Sequence, residues 1–358
     1  MSSSDKANVC KRLMGIVSGE NEKDVLIAIW DTAPFVNSLA GVESKDYYHN
    51  VEVKLKIQLW FQEQFPEFIL FPGIWADYGA VCEPSAFGCE VKWEGDSPAI
   101  LSPAITSISE IMSLRAIDPL KAGLLPKALE EYRWLWKNVD QKYIDDYGYL
   151  DGIAASFGPV ELAAVLIGYE SFYRSLWKDG PATHTLLKIT TDFVISWLKA
   201  QEDTNGPLKR IAIADHIPGQ ISLEHFREYF VPYTNQVLEA FPKATKIYHN
   251  EFPLKYISSL TEIKADIFHF GTDIIETKKC LGDKMTLMGN IHPVNILWNG
   301  SPEDVEREAL YCLEKGTPGG RFLLSSGGGL SPGTSMENMR AMEMALNNFR
   351  KSEGTSIR

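Results

Sequence analysis

The feature that most constrains the fold is a series of eight short apolar runs, each followed by a turn rich in glycine or polar residues. From about residue 150, these runs alternate with amphipathic stretches of a dozen or more residues. Such alternation is typical of parallel β-α units, and eight units close most simply into a barrel. The sequence therefore predicts an α/β fold, a (β/α)8 TIM barrel with extra N-terminal helices. The predicted strands cover residues 26–31, 68–75, 153–159, 210–215, 246–251, 266–271, 286–293 and 321–329.

The chain is long enough for two or three average domains, but it contains no internal repeat, low-complexity tract or linker that would separate them. We therefore predict one barrel domain over residues 1–358. A helical extension is expected at about residues 1–24, before the first strand. The connection between the second and third strands is long, and its segment LPKALEEYRWLWKNV has a helical pattern of apolar residues. A helical insertion is therefore expected at about residues 104–148.

Charge and hydropathy argue against two classes of partner. The formal net charge is -12, and no Lys/Arg block is long enough to form the positive face that a nucleic-acid backbone requires. No apolar run reaches the roughly 18 residues that span a bilayer, and the first residues lack the apolar centre of a signal peptide. The five cysteines are scattered without a CxxC pair, which suits reduced thiols. The expected location is the cytoplasm.

Polar side chains gather at the predicted ends of four neighbouring strands. In a (β/α)8 barrel these ends lie on the face where the active site is built. Residues two apart on an extended chain point to the same side, so His249 and Glu251 are expected to act together. With side chains from neighbouring strands they would offer three or four nitrogen and oxygen ligands to zinc and leave one position open. The residues concerned are Asp215, His216, His249, Glu251, His269, Asp273, Asn290 and His292.

The histidines among these residues also have a purely structural interpretation. His249 and Glu251 would form a hydrogen-bonded pair that closes a strand. His269, between two phenylalanines, would be a core histidine with satisfied hydrogen bonds. His216 and His292 stand next to loop residues and would hydrogen-bond a loop carbonyl. The remaining histidines lie in helical or loop patterns and are interpreted as surface residues.

A run of three glycines, Gly327, Gly328 and Gly329, follows the last apolar run and precedes a helix whose cap is Thr334 or Ser335. Adjacent glycines allow a large flat ligand or a phosphate to approach the backbone closely. The run is not a P-loop, because no Gly-Lys-Ser/Thr follows it. A tight turn between a strand and a helix is the alternative interpretation.

Four stretches carry a resemblance to a known family: FGCEVKWEGDSPAIL, AIADHIPGQISLEHFREYFVPY, LMGNIHPVNILWNGSPEDVEREA and LLSSGGGLSPGTSMENMRAM. In order and spacing they resemble the uroporphyrinogen decarboxylase superfamily, over about residues 85–350. That superfamily includes porphyrinogen decarboxylases and corrinoid-dependent methyltransferases, which move methyl groups between a substrate and a cobalamin-carrying partner protein. The resemblance implies a (β/α)8 barrel, in agreement with the strand pattern.

The sequence departs from two branches of this superfamily. Decarboxylases carry an arginine-rich segment after the first strand, whereas residues 29–42, IWDTAPFVNSLAGV, contain no Arg or Lys. The carboxylates of a tetrapyrrole would be left unpaired there. Methylcobamide:thiol methyltransferases bind zinc through a His-x-Cys and a cysteine in the last glycine turn. Here the matching positions are His249, Glu251 and Gly328. A site without thiolates is harder, which favours an oxygen substrate over a thiol.

The resemblance therefore implies a protein similar to the first methyltransferase of anaerobic O-demethylases. Such a protein would transfer a methyl group from an aryl methyl ether, a small-molecule donor, to the Co(I) corrinoid of a partner protein. Methanol, a methylamine or a methylated thiol remain as alternative donors, and a porphyrinogen decarboxylase or a non-catalytic binding protein as alternative functions. The cobalamin is expected on the partner, because this chain has no Asp-x-His-x-x-Gly motif. A homodimer is compatible with the sequence.

The same resemblance suggests roles for individual residues. His249 and Glu251 would hold zinc, with His269 or Asp215 completing the ligand set. As an alternative, Asp215 or His292 would give a proton to the leaving oxygen. The three glycines would let the corrin ring approach the barrel mouth. The aromatic residues expected to form a flat apolar pocket are Trp30, Phe35, Trp75, Tyr78 and Phe157, although aromatic residues are also ordinary core residues.

Overall fold

The computed structural model describes residues 8–30, 33–106, 110–111, 116–251 and 255–354. Asp31, the last residue of the first predicted strand, lies outside the described residues. The start of the predicted N-terminal extension and part of the predicted insertion also lie outside them. Among the helices that are described, none is both long enough and apolar enough to cross a membrane.

The central element is a parallel sheet of eight strands, and every predicted strand overlaps one of them. The strands are β1 (Leu26–Trp30), β2 (Ile69–Phe71), β3 (Glu90–Lys92), β4 (Ala99–Ser102), β5 (Ile153–Phe157), β6 (Arg210–Ala214), β7 (Thr245–Asn250), β8 (Ile267–Phe270), β9 (Thr286–Ile291) and β10 (Phe322–Ser326). The strands of the large sheet follow one another in the order β2-β1-β10-β9-β8-β7-β6-β5, which confirms the predicted fold class. Strands β3 and β4 form a separate antiparallel pair, which the sequence analysis did not predict.

Helices connect the strands and pack against the sheet. They are α1 (Val9–Ser18), α2 (Phe35–Leu39), α3 (Ser44–His49), α4 (Val51–Gln64), α5 (Cys82–Ala86), α6 (Leu125–Asn138), α7 (Gln141–Tyr147), α8 (Pro159–Ile167), α9 (Tyr169–Lys178), α10 (Gly180–Asn205), α11 (Leu223–His225), α12 (Val231–Glu239), α13 (Ile274–Leu281), α14 (Pro302–Gly316) and α15 (Met336–Ser352). Shorter helical turns of the 3-10 type cover Gly79–Val81, Ile217–Gln220 and Ile257–Glu262, and π-helical turns cover Phe226–Phe230 and Pro293–Trp298. Helices α6 and α7 lie where the insertion was expected, while the limits of the domain stay a prediction.

Single side chains fix where several of these helices begin. Ser301 and Asp304 form a capping box at the start of α14, in which each side chain accepts a hydrogen bond from the backbone N–H of the other residue. At the start of α15 the cap is Ser335, whose side chain accepts a hydrogen bond from the backbone N–H of Asn338. Because α15 follows the glycine run, this cap helps to fix the path of the chain as it leaves β10.

The register of the strands sets the level at which the polar side chains lie. Ala214 of β6 pairs with His249 of β7, and His249 pairs with His269 of β8. Strands β1, β8 and β10 are buried along their whole length, as expected for a parallel sheet covered on both faces. The polar residues at and after the strand ends are therefore brought together on one face of the barrel.

Candidate active site

The carboxyl ends of β6, β7 and β10 meet around one cluster of polar side chains. His216, His249 and Glu251 each offer a ligand atom, and these atoms all lie within 4.8 Å of one another. His249 is buried, His216 is half-buried and Glu251 is exposed, so the cluster extends from the barrel interior to its rim. His249 and Glu251 are two of the predicted metal ligands, and the structure brings His216 to their side.

His216 is held by Glu161, a residue that the sequence pattern did not single out. The backbone N–H of His216 donates to Oε2 of Glu161 at 2.7 Å, and Nδ1 of His216 lies 3.5 Å from the same oxygen. Tyr169 donates a further hydrogen bond to Glu161. Burial alone would raise the pKa of Glu161, but its bonds to His216 lower it. Burial alone would lower the pKa of His216, but the hydrogen bond and charge of Glu161 raise it.

A second histidine stands directly behind His249. Nδ1 of His249 lies 2.7 Å from Nδ1 of His269, and Nε2 of His269 lies 2.9 Å from the carbonyl oxygen of Ser326. Trp30 stacks on His249, with ring centroids 4.4 Å apart and an angle of 11° between the planes. Burial lowers the pKa of His249 well below its ordinary value and that of His269 to about 4. His269, a predicted metal ligand, has both ring nitrogens engaged and lies one step behind the cluster.

Glu251 and the glycine run are matched in shape. The backbone N–H of Gly329 donates to Oε2 of Glu251 at 3.1 Å. A Cβ atom placed at Gly328 would lie 2.3 Å from the same oxygen, which is too close for any real contact. The carboxylate of Glu251 thus occupies the space that a side chain at position 328 would need. Of the three glycines predicted to face the corrin ring, only Gly329 belongs to the described lining of the neighbouring cavity.

A cavity of about 270 Å³ opens beside the cluster, and His216, His249 and Glu251 form part of its wall. Most of the predicted aromatic pocket lines it, namely Trp30, Trp75, Tyr78 and Phe157. Phe35, the remaining predicted pocket residue, is fully buried and packs edge-on against Phe61. A mostly apolar wall with a few convergent polar groups is the usual composition of a small-molecule site. The cavity therefore combines a flat aromatic surface with a polar end.

One acidic side chain, Glu83 of α5, belongs to the same wall. It is buried, and its Oε1 accepts a hydrogen bond from the backbone N–H of Phe157 at 3.2 Å. Burial raises the pKa of Glu83. The residues that line the cavity, within the described part of the chain, include no Lys or Arg. Glu83 therefore belongs to a cavity wall on which the described residues include no Lys or Arg to pair with it.

The two predicted proton donors lie outside the lining of this cavity. Asp215 is fully buried, and its carboxylate accepts hydrogen bonds from the backbone N–H groups of Glu161 at 2.9 Å and Ile217 at 3.2 Å. His292 is exposed, and its Nδ1 accepts hydrogen bonds from the backbone N–H groups of Val294 and Asn295 at the start of a π-helical turn. In this structure both side chains hold the backbone of the loops that follow β6 and β9.

The donor atoms of the cluster suit a divalent metal ion. Two imidazole nitrogens and one carboxylate oxygen form a ligand set that zinc uses in catalytic sites with an open fourth position. Each imidazole is supported at Nδ1, His216 by Glu161 and His249 by His269, as is usual for metal-bound histidines. The cluster contains no thiolate among the described residues, so its ligand atoms are harder, in the hard–soft acid–base sense, than those of a site built from cysteines.

Two residues that shape the site, Glu161 and Glu83, were missed in the sequence. Glu161 lies in the first turn of α8, where an acidic residue is common simply because it complements the helix dipole. Glu83 lies in the short helix α5, far from any predicted strand. For Glu161 the available signal was its position just after β5, at the same face of the barrel as the other polar strand ends. For Glu83 no comparable signal exists.

Comparisons with known proteins agree on one family. The family described as Uroporphyrinogen decarboxylase (URO-D) matches residues 35–349. The methylated-thiol–coenzyme M methyltransferase of Methanosarcina mazei is 24% identical over 261 residues, which cover 72% of this chain and 68% of that protein. The methylcobamide:CoM methyltransferase MtaA of Methanosarcina barkeri is 27% identical over 275 residues, which cover 74% of this chain and 76% of that protein.

A solved structure of a methyltransferase from Methanosarcina mazei has the same fold, with a TM-score of 0.82 at 20% identity. The superposition covers 96% of this chain and 99% of that chain. The family match extends over most of the chain and includes the four stretches in which the resemblance was recognised. The chain therefore belongs to the uroporphyrinogen decarboxylase family, and methyltransferases are among its relatives.

Proposed function

We propose that this protein is a corrinoid-dependent methyltransferase that takes a methyl group from an aryl methyl ether and passes it to the Co(I) corrinoid of a partner protein. The observation that carries the proposal is the aromatic cavity that opens onto His216, His249 and Glu251. The methyl-transfer part is supported by relatives, one of which is a methylcobamide:CoM methyltransferase. The choice of an ether rests on the flat apolar wall and on a ligand set without thiolates.

We propose that His216, His249 and Glu251 hold Zn²⁺. The bound ion would supply a Lewis acid for the oxygen that leaves the methyl group. Phenolate is a reluctant leaving group, so stabilisation of its developing negative charge should lower the activation barrier substantially. The chain contributes by keeping two imidazoles and one carboxylate in place through the hydrogen bonds behind them.

In the proposed reaction, the bond between the methyl carbon and the aryl oxygen breaks, and its electron pair leaves on the oxygen. The methyl carbon passes to the reduced cobalt on the partner, with which it forms the new bond. Trp30, Trp75 and Tyr78 hold the aromatic ring of the substrate against the cavity wall. The apolar lining excludes water, which strengthens the electrostatic interactions at the polar end.

A tetrapyrrole decarboxylase fits this cavity less well. Its substrate carries several carboxylates, and each would need a cationic or hydrogen-bonding partner once buried. The described residues that line the cavity include no Lys or Arg. The volume of about 270 Å³ is also slightly below the usual range for ligand pockets, which begins at about 300 Å³. The lack of Lys and Arg on the lining agrees with the absence of basic residues in segment 29–42.

A methylated amine is the second candidate substrate, because of Glu83. A buried carboxylate on an aromatic wall complements an ammonium group through charge and cation–π interactions. An aryl ether would use the same aromatic surface without requiring the charge. The two candidates therefore differ in their dependence on Glu83 and agree in their dependence on the aromatic residues.

A panel of methyl donors tests the proposal. The purified protein is mixed with a corrinoid protein reduced to Co(I) and with a methoxyphenol, methanol, a methylamine or a methylated thiol. We expect the absorbance of methyl-cobalt to appear fastest with the methoxyphenol. Faster methylation from the amine or the thiol would mean that this donor, and not the aryl ether, is the substrate. No methylation from any donor, together with turnover of uroporphyrinogen, would overturn the methyl-transfer assignment.

The proposed metal site is tested separately with His249→Ala. We expect about one zinc ion per chain in the wild-type protein and loss of both zinc and methyl transfer in the variant. Because a Lewis acid contributes several kcal/mol, the rate should fall by about a thousandfold. Wild-type protein without metal, or a variant with an unchanged rate, would rule out the zinc site while leaving the methyltransferase proposal open to the donor panel.

A further inference from the structure

We propose that His269 is a positioning residue that fixes the tautomer of His249, so that Nε2 of His249 is the unprotonated nitrogen left to bind a metal ion. This inference deepens the proposed function, since it rests on the metal site proposed above. It concerns a hydrogen-bonded series of three groups, which runs from the carbonyl of Ser326 through His269 to His249.

The direction of the hydrogen bonds is set at the Ser326 end. Nε2 of His269 lies 2.9 Å from the carbonyl oxygen of Ser326. A carbonyl oxygen only accepts, so Nε2 of His269 must carry the proton and donate. In a neutral imidazole one nitrogen carries a proton and the other has a lone pair. Nδ1 of a neutral His269 is therefore an acceptor.

The two rings form one buried pair. His269 is fully buried and His249 almost so. The two rings contact each other, with centroids 4.7 Å apart, and Trp30 covers both of them. A metal ion binds an imidazole through the lone pair of its neutral form, so the state that matters for the site is the one with both rings neutral.

Only one of the two rings can then carry the proton that lies between them. Nδ1 of His249 lies 2.7 Å from Nδ1 of His269, which is a hydrogen-bond distance. Since Nδ1 of His269 is the acceptor, Nδ1 of His249 must donate. A neutral His249 therefore has its lone pair on Nε2. The stacked indole of Trp30 also restricts rotation of the His249 ring, so this lone pair has a fixed direction.

His216 obtains the same support from a different group. Its Nδ1 lies 3.5 Å from the carboxylate of Glu161, which is a negative partner, whereas His249 has a neutral one. The two histidines of the proposed metal site are thus held at Nδ1 by different kinds of partner, a carboxylate for His216 and an imidazole for His249.

The decisive pair of variants is His269→Leu and His269→Gln. Leucine removes the acceptor and leaves Nδ1–H of His249 without a partner. The glutamine amide can accept from His249 through its oxygen and donate to Ser326 through its nitrogen. Phe270→Leu on the same strand is the packing control, because it reduces a buried side chain without changing the hydrogen bonds.

The first measurement is a long-range ¹H–¹⁵N correlation of histidine-labelled, metal-free protein, which reports the protonated ring nitrogen directly. We expect His249 to carry its proton on Nδ1 in the wild type and in His269→Gln. In His269→Leu the proton should redistribute toward Nε2. A wild-type spectrum with the His249 proton on Nε2 would overturn the inference, and this result requires no variant to fold.

The second measurement is zinc affinity by competition with a chromogenic chelator. Loss of a group that orients a metal-bound histidine typically lowers affinity by about 10- to 100-fold, and we expect this in His269→Leu. His269→Gln should recover most of the loss, and Phe270→Leu should bind as the wild type does. Equal losses of zinc affinity in the leucine and glutamine variants would show that His269 acts only through packing. Since neither measurement involves a methyl donor, failure of the donor panel leaves both results interpretable.

Discussion

The two sides of the candidate active site are held in place by different forces. On the polar side, His216, His249 and Glu251 each have a hydrogen-bond partner behind them. On the aromatic side, Trp30 and Trp75 are placed mainly by packing. Hydrogen bonds fix the direction of individual atoms, whereas packing fixes the shape of a surface. We therefore expect changes on the polar side to alter metal binding and rate, and changes on the aromatic side to alter substrate affinity.

Tyr78 is the aromatic residue with a polar anchor. Its hydroxyl donates to Oε1 of Glu131 at 2.5 Å, and Lys54 forms an ion pair with the other oxygen of Glu131 at 2.6 Å. Lys54 also lies 4.3 Å from the centre of the Tyr78 ring. A buried ion pair is tolerated when its charges are paired and hydrogen-bonded, and here Tyr78 supplies one of those bonds. The anchor holds the tyrosine ring at the cavity wall.

The largest effect among the new variants is expected for Glu161→Gln on the polar side. The amide keeps the shape of the side chain, but it removes the negative charge that supports His216. We expect zinc affinity to fall by about 10- to 100-fold, as for other residues that orient a metal-bound histidine. Competition with a chelator measures this loss.

The matched control is Glu170→Gln on α9, an exposed glutamate that pairs with Arg174 one helical turn away. Exposed ion pairs of this kind contribute little, so the control should bind zinc with wild-type affinity. Equal affinity in Glu161→Gln and in the wild type would contradict the view that hydrogen bonds maintain the polar side.

A smaller effect is expected for Gly328→Ala. The added Cβ would lie 2.3 Å from Oε2 of Glu251, so the carboxylate must move away from its place in the cluster. We expect zinc affinity to fall by about tenfold, at the low end of the range for disturbed metal ligands. Gly329→Ala is the control, because an added Cβ there meets nothing within 4 Å. Similar zinc affinity in the two alanine variants would mean that Glu251 binds no metal ion.

On the aromatic side, Trp75→Leu should change substrate affinity alone. Loss of the indole removes stacking worth about 1 kcal/mol, so KM for a methoxyphenol should rise by about five- to tenfold. Zinc affinity and kcat should stay near their wild-type values, because the indole N–H of Trp75 has no hydrogen-bond partner among the described residues and so supports none of the three cluster residues. Trp177→Leu, at an exposed position of α9, is the control. A fall in kcat or zinc content would show that the two sides are not independent.

The sequence predicted the barrel because its evidence is local. Each strand is one apolar run that ends in a polar turn, and neither feature depends on distant parts of the chain. The prediction that His249 and Glu251 act together also rested on local evidence, since residues two apart on a strand point to the same side. Their proximity in the structure follows from that alternation, because His249 lies in β7 and Glu251 directly follows the last residue of that strand.

The rest of the site depended on contacts between distant segments. His269 was indistinguishable from a ligand in the sequence, and only the structure shows both of its nitrogens engaged. Glu161 and His216 are brought together from α8 and the loop after β6. Phe35 and Trp30 looked alike as pocket residues, yet only Trp30 faces the cavity. In each case the direction of a side chain decided the outcome, and periodicity alone does not specify it.

The smallest expected effect concerns Glu83 and the pH dependence of stability. Burial raises the pKa of Glu83 in the folded protein above the value of about 4.3 for an exposed glutamate. The folded state therefore binds the proton more tightly than the unfolded state, so this group lowers the free energy of unfolding as pH rises from the unfolded to the folded pKa. The slope is at most about 1.4 kcal/mol per pH unit.

Glu83→Gln, which keeps an acceptor for the backbone N–H of Phe157, removes this pH dependence. Denaturant unfolding at several pH values should show that the free energy of unfolding of the variant increases relative to that of the wild type as pH rises through this interval. A parallel pair of pH profiles would mean that the folded protein leaves Glu83 as acidic as it is in the unfolded chain, and a carboxylate of that kind would favour the methylamine over the ether.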